Sequence, residues 1–285
     1  NSNNRAAVAQ SVEDGMIMTS SLDVSEFVIN GPDANGYYII YDAEVPGYLF
    51  APVSGNKNYL RTQQFNDNKG QWTISIDADN SEANVVANAE GRNTMRYNSA
   101  SNVFSCYASG QQPIYLYEKD GETEYTFYKD ITGFGEAENG NYYLIASPVA
   151  VAPANVNQMI AQTAENYDLY AFDQSEAKEW LNYKQHNFSL DPGTGYLYAN
   201  SENVTLSFSG EKNNTTSVTL TKTEDEVDFQ GWNLIGNPFG QVAYITNDFY
   251  RMKESGDEVI EGSGAINPME GVFVIAESDG QTVTF

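Results

Sequence analysis

The chain has 285 residues, of which 41% are hydrophobic and 13% are aromatic, so its composition excludes a disordered chain and allows two ordinary domains or one large β domain. Its 39 acidic side chains outnumber its 14 basic ones, and the net charge of −25 repels phosphate and argues against a nucleic-acid partner. No apolar run approaches the roughly 18–20 residues of a spanning helix, so we expect no transmembrane segment.

The first part of the chain is predicted to be a series of short β-strands. Runs rich in β-branched and aromatic residues, such as Phe27–Ile29, Gly36–Tyr41 and Trp72–Ile76, are separated by turn-forming residues. Turn signals that recur about every 8–12 residues are typical of an antiparallel barrel or sandwich. Within one run, Trp72, Ile74 and Ile76 alternate with polar residues, which predicts a half-buried strand.

A short acidic segment follows that run and suggests a cation site. Asp77, Asp79 and Glu82 place carboxylates at spacings that suit Ca²⁺. The segment lacks the glycine and the length of an EF-hand loop, and it lies between two predicted strands. A plain hairpin turn is therefore the favoured alternative, and no other cofactor is expected.

The residues that most often carry catalysis are scarce. Cys106 and His186 are the only cysteine and the only histidine, so neither an intrachain disulfide nor a zinc site of these two residue types can form. Cys106 lies among aromatic residues in a predicted strand, which favours a buried hydrophobic role. No Gly-x-Ser-x-Gly motif is present. We therefore predict no catalytic residue and expect that the chain is not an enzyme.

The polar run from Asp120 to Glu124 is the most natural domain boundary. We predict a barrel-like domain over residues 1–119, a linker or first strand over 120–135, and a second domain over 136–285. Residues 120–285 hold 26 acidic against 7 basic side chains, so most of the negative charge lies in the second domain.

One short helix is predicted at the start of the second domain. Five residues share the spacing i, i+3, i+4, i+7 and i+11 of a single helical face. They are Val156, Met159, Ile160, Thr163 and Tyr167. Asn155 lies where the N-cap residue of that helix would be expected.

Three aromatic residues are candidates for ligand binding. Trp180 lies near the turn of a predicted hairpin, and its ring could stack on a sugar. Tyr196 and Tyr198 share one face of a predicted strand, opposite Leu197. If Leu197 points into the core, both tyrosine rings lie outside, and the reverse assignment is equally open. Core packing is the alternative for all three rings.

The second domain contains an internal repeat. Three strand-like blocks recur in the same order: Tyr142–Pro148 as Trp232–Pro238, Asp168–Tyr170 as Asp248–Tyr250, and Gly195–Ala199 as Gly271–Ile275. The offsets between the copies fall from 90 to 80 to 76 residues, so the second copy has shorter loops. A repeat of this length predicts a duplicated supersecondary unit, and we expect an all-β sandwich.

Two sets of segments resemble known modules. The first set is Asn58–Thr62, Trp72–Ile76, Arg92–Ser99, Phe104–Tyr107 and Gly110–Tyr117, and the second is Gly193–Asn200 and Gly231–Phe239. The first resembles a small all-β barrel module of secreted or surface proteins of anaerobic gut Gram-negative bacteria, including some extracellular nucleases and peptidases. The second resembles the jelly-roll-like domains near the C-terminus of similar proteins. The first module usually has earlier strands, so we expect its barrel either to be truncated at the N-terminus or to be closed differently, and the chain to be a piece of a longer protein.

The resemblance implies a secreted or outer-surface location and carries over no catalytic residue. We expect a monomeric, non-catalytic module that serves adhesion or glycan binding, with a glycan or a protein as its ligand. The alternatives are the accessory part of a secreted hydrolase whose catalytic domain lies outside this chain, and a purely structural spacer.

Overall fold

The computed structural model describes residues 3–17, 24–52, 56–121, 123–134, 141–224 and 228–285. The chain divides into two compact units, Asn1–Glu122 and Thr123–Phe285. Both consist of antiparallel strands, and the described residues contain no α-helix, which confirms the all-β fold class. No helix that could cross a bilayer occurs in these ranges.

The strands of the first unit are short, as the closely spaced turn formers require. They are β1 (Arg5–Ala6), β2 (Val12–Glu13), β3 (Met16–Ile17), β4 (Phe27–Asn30), β5 (Tyr38–Asp42), β6 (Gly47–Phe50), β7 (Arg61–Gln63), β8 (Gln71–Ile76), β9 (Ala83–Ala87), β10 (Thr94–Asn98) and β11 (Val103–Tyr107).

Nine of these strands form one sheet that nearly closes into a barrel. Its order is β1-β11-β10-β9-β8-β5-β6-β7, and β4 also pairs with β5, while β2 and β3 form a separate hairpin. The two ends of this order meet where the Leu60 amide, just before β7, donates to the Asn3 carbonyl, just before β1, at 2.9 Å. Near closure leaves few unpaired strand edges.

The core of the first unit is centred on Trp72, which is fully buried in β8 and donates its indole N–H to the Leu49 carbonyl at 2.9 Å. The alternating pattern predicted for this strand holds only at its start. Ile74 is partly buried, and Ile76, the last residue of β8 before the next turn, is 53% exposed.

The second unit repeats a set of six strands. The first half contains β12 (Glu124–Ile131), β13 (Tyr143–Ala146), β14 (Tyr167–Phe172), β15 (Trp180–Asn182), β16 (Gly195–Asn200) and β17 (Val204–Glu211), and the second contains β18 (Ser217–Thr219), β19 (Trp232–Gly236), β20 (Phe249–Met252), β21 (Val259–Gly262), β22 (Gly271–Ile275) and β23 (Thr282–Thr284). The first half forms a β12-β17 pair and a β13-β16-β14-β15 sheet. The second half forms β18-β23 and β19-β22-β20-β21 in the same pattern, which confirms the internal duplication.

The β-bridges between the two halves join equivalent pairs of residues, and equivalent residues are separated by the same offsets as the repeated sequence blocks. Ile145 bridges to Glu270, and Ile235, which is 90 residues after Ile145, bridges to Thr194, which is 76 residues before Glu270. An exchange of equivalent partners is the signature of an approximate two-fold relation between the halves.

Alternation along the strands divides the apolar residues of this unit among three clusters. In each half, one cluster lies between the four-stranded sheet and the two-stranded pair of that half. A third lies between the two four-stranded sheets and contains the equivalent residues Leu144 and Leu234 together with Phe273. The sandwich therefore depends on both copies of the repeat.

The predicted helix over residues 156–167 is absent, and this prediction was wrong. The segment has only two three-residue 3-10 turns at its ends, Pro153–Asn155 and Ala164–Asn166. Val156 is extended (φ −84°, ψ 121°), and Tyr167 already begins β14. Val156 and Met159 are nevertheless buried in the first-half core. Their spacing reflects burial of an irregular segment against the sheet, which a helical periodicity test cannot distinguish from a helix face.

One charged side chain lies on the core-facing side of β12. Lys129 lies on the same face of β12 as Phe127 and Ile131, both of which pack in the first-half core. Burial lowers the pKa of the Lys129 ammonium below its ordinary value of 10.5, against the opposing effect of the Glu270 and Asp130 carboxylates. The unfolded chain therefore holds this proton to a higher pH than the folded chain. The stability cost of Lys129 is full below its lowered pKa and disappears as pH rises towards 10.5.

We expect Lys129→Met to raise the free energy of unfolding at about pH 7 by about 1–3 kcal/mol, because methionine keeps the packing without the desolvated charge. Urea unfolding of both proteins at several pH values should show this difference shrinking towards pH 10.5.

Comparing the two proteins at the same pH cancels the contribution of the buried tyrosines, whose effect on the pH dependence of stability has the opposite sign. Burial raises the pKa of Tyr196 and of Tyr198 to about 12, so their contribution is full below the ordinary value of 10 and is lost as pH rises through 12. A difference that stays constant with pH would contradict the assignment of the effect to the Lys129 charge.

Candidate binding site

The predicted calcium ligands Asp77, Asp79 and Glu82 lie at the turn between β8 and β9. Asp77 uses one carboxylate oxygen to accept the amides of Asp79 at 2.9 Å and Asn80 at 3.2 Å, and the Glu82 carbonyl accepts the Asp77 amide at 2.9 Å. Across the described residues, no three His, Cys, Asp or Glu side chains are grouped so that they could hold a metal ion. The carboxylate of Asp77 stabilises the turn between β8 and β9, and this is the hairpin alternative.

Tyr196 and Tyr198 do not present their rings on the surface. Both are buried in the first-half core, and Leu197 lies on the opposite face of β16, between the two sheets. The Tyr196 hydroxyl donates to the Ser189 carbonyl and the Tyr198 hydroxyl to the Met159 carbonyl, each at 2.9 Å. Of the two assignments that strand alternation left open, the structure has the one with both tyrosine rings in the core, and both faces of β16 are covered.

Trp180 lies in a different environment, within a continuous group of seven aromatic rings that we call the ring cluster. Neighbouring centroids are 5.0–6.4 Å apart, and most of the ring pairs are edge-to-face. The members are Tyr170, Phe172, Trp180, Phe229, Trp232, Tyr250 and Phe273. The first half of the duplication contributes three of them and the second half four.

The ring cluster includes the aromatic residues between the two four-stranded sheets, and six of its seven rings keep part of their surface exposed to solvent. Phe273 is the buried member, Phe229 is 39% exposed, and the other five rings are partly buried. The structure therefore separates Trp180 from Tyr196 and Tyr198 and places it among partly exposed rings. Rings that are fixed by their neighbours and partly exposed can stack on a ligand with little loss of conformational freedom.

A polar group adjoins the ring cluster through Tyr170. The Asp168 carboxylate accepts the Tyr142 hydroxyl at 3.0 Å, the Tyr170 hydroxyl at 3.3 Å and the Lys184 ammonium at 3.0 Å. Tyr142 reaches Asp168 along the sheet face above Ala199, the residue paired with Asp168. These four residues form what we call the Asp168 group, and all four offer polar atoms beside the aromatic rings.

Burial and the Asp168 carboxylate together raise the pKa of Tyr142 to about 12. Burial, followed by the same carboxylate, also raises the pKa of Tyr170. Both hydroxyls therefore stay protonated at neutral pH and act as hydrogen-bond donors. The second half of the duplication lacks this arrangement, because Trp232 replaces Tyr142 and has no hydroxyl, and Asp248, the equivalent of Asp168, is exposed.

The single cysteine is unsuited to nucleophilic chemistry. Cys106 is completely buried in β11, and burial raises the pKa of its thiol to about 12. The thiolate, which is the reactive form, is therefore scarce at neutral pH. His186 is exposed in the turn after β15, where its amide donates to the Asn182 carbonyl at 2.9 Å.

Sequence reasoning identified one of the seven rings in the cluster. The sequence also held a signal for Tyr170 and Phe172. Together with Asp168 they are spaced two residues apart along one strand, which places all three on one face. The recurrence of Tyr170 as Tyr250 in the repeat pointed to the same face of the second copy. The packing of one copy against the other, which joins the two sets of rings, is a tertiary feature.

Comparison with known proteins adds no further assignment. No protein-family model matches the chain, no curated protein is significantly similar to it, and no solved structure matches its fold.

Proposed function

We propose that this protein is a non-catalytic glycan-binding module, and that the ring cluster with the adjoining Asp168 group is its binding site. Partly exposed aromatic rings stack on the apolar faces of sugar rings, and neighbouring carboxylate, hydroxyl and ammonium groups hydrogen-bond to sugar hydroxyls. The single observation that carries the proposal is the half-buried Trp180, held edge-to-face by Phe172 and Phe273 beside Tyr170.

The charge of the chain narrows the ligand class to neutral or weakly charged glycans. With 26 acidic and 7 basic side chains in residues 120–285, like charge disfavours acidic polysaccharides. The buried Cys106 and the absence of a metal-binding group among the described residues supply no support for catalysis at this site. Together with the resemblance to surface modules, this supports adhesion or glycan capture outside the cell.

A glycan array followed by calorimetric titration tests the proposal. We expect binding to a neutral oligosaccharide, weakened roughly tenfold or more by Trp180→Ala and by Phe229→Ala, because each removes a stacking surface. Phe229 is exposed enough that its loss should leave the fold intact. Moderate salt should change the affinity little, since stacking is screened less than pairing of surface charges.

Tyr244→Ala is the matched control, because Tyr244 is 64% exposed in the same unit and lies outside the ring cluster. It should bind as the natural chain does. If no glycan on the array binds, or if both ring variants keep the affinity of the natural chain, the proposed site is wrong. Steady release of reducing sugar by the purified chain would overturn the non-catalytic assignment.

A further inference from the structure

The terminal strand of the second-half sheet has an open edge. Among the described residues, β21 pairs with β20 alone, and no backbone hydrogen bond joins it to another strand. The hairpin register is fixed by the Lys253 amide, which donates to the Glu258 carbonyl at 2.8 Å. Because hydrogen-bonded and non-hydrogen-bonded pairs alternate in an antiparallel ladder, Val259 and Glu261 direct their amide and carbonyl groups away from β20.

The equivalent strand of the first half is more covered. In β15, Trp180, Leu181 and Asn182 are all partly buried, whereas in β21 Val259, Ile260 and Glu261 are all exposed. Val259 and Ile260 are each 38% exposed and lie on opposite faces of the strand. Apolar residues on both faces of an open edge strand suit the addition of another strand.

The charged residues around β21 determine which kind of strand can pair with its outer edge. The hairpin segment 253–261 carries four exposed acidic side chains, Glu254, Asp257, Glu258 and Glu261, against the single cation Lys253. Lys253 pairs with Glu258 at 3.3 Å, and within the described part of the chain the other three acids take part in no ion pair. A second copy of this chain, with its own net charge of −25, would meet like charge at this edge.

We propose that the open edge of β21 is a docking site for an extended basic segment of another polypeptide, which pairs with it as an additional strand. Antiparallel or parallel pairing satisfies the outward backbone groups of Val259 and Glu261. Apolar partner residues lie beside Val259 and Ile260, and lysines lie beside Glu258 and Glu261. The outer edge of β21 borders the ring cluster, because Glu261 pairs across the strands with Tyr250, but strand pairing at this edge does not depend on the proposed glycan binding.

The test uses the full chain and a fluorescent synthetic peptide with the core Lys-Val-Ile-Lys, flanked by threonines. Fluorescence anisotropy should show saturable binding that weakens with added salt. A peptide with glutamate in place of both lysines should bind at least tenfold more weakly. The charge-reversed protein, with Glu258→Lys and Glu261→Lys, should instead prefer the glutamate peptide.

A proline substitution distinguishes strand pairing from charge attraction alone. Val259→Pro removes an amide that points away from β20, so the hairpin should persist in circular dichroism while peptide affinity falls at least tenfold. Val259→Ala keeps the amide and should lose less affinity. If Val259→Pro impairs folding, Glu261→Pro provides the same test at the second outward amide.

The proposal would be overturned by no saturable binding of the lysine peptide, by equal binding of the two peptides, or by full affinity in the folded proline variants. Self-association of the chain that Val259→Pro abolishes would assign the edge to a second copy and would likewise overturn it.

Discussion

Replacing Leu234 with alanine is expected to lower the free energy of unfolding by about 2–5 kcal/mol, because the substitution leaves a cavity in a packed core. Leu234 is buried between the two four-stranded sheets, in contact with the cluster of Leu144 and Phe273. Chemical unfolding of the purified chain, followed by circular dichroism, measures the change.

The duplication provides an internal comparison for this result. Leu144 occupies the equivalent position in the first half and the same cluster, so Leu144→Ala should cost a similar amount. The exposed control Tyr244→Ala should change the free energy of unfolding by less than about 0.5 kcal/mol. Loss of stability in only one of the two leucine variants would contradict a shared core between the copies.

Gly236→Ala is expected to destabilise the chain by about 1–3 kcal/mol through overpacking. A Cβ at this position would lie 2.5 Å from the Ala146 Cβ and 2.5 Å from the Thr194 carbonyl oxygen. Gly236 lies where the two halves cross, and its amide donates to the Gly193 carbonyl there at 2.9 Å. Thermal unfolding should show the loss as a lower melting temperature.

A second substitution tests the geometry behind this expectation. Ala146 is the equivalent of Gly236 in the first half, and Ala146→Gly removes one of the two close contacts. The double variant should therefore recover part of the stability, while the contact with the Thr194 carbonyl remains. A Gly236→Ala chain as stable as the natural one would show that the halves do not approach this closely.

The fold class followed from local signals that tertiary structure did not alter. Turn formers between short β-branched and aromatic runs predicted strands, and strands fill both units. The matched blocks around Leu144 and Leu234 predicted the duplication, which the repeated strand order confirms. The helix prediction failed because Val156 and Met159 reach the core from an irregular segment, and apolar spacing does not report backbone conformation.

The site was predicted only in part. Strand alternation established that Tyr196 and Tyr198 lie opposite Leu197, but it could not establish which face was covered. In the structure both faces are covered, one by the first-half core and the other by the second sheet. Trp180 stays partly exposed because its strand is at the end of the sheet order, which is a property of topology.

The sequence by itself determined the β architecture, the internal repeat and the acidity of the second unit, because strand propensity, repetition and charge are local or additive properties of the residues. The tertiary structure alone decided that seven rings from both copies form one cluster, that Asp168 accepts hydrogen bonds from two tyrosines and Lys184, and that no other described strand pairs with the outer edge of β21. These features depend on which faces and edges meet, and that depends on contacts between residues far apart in the chain.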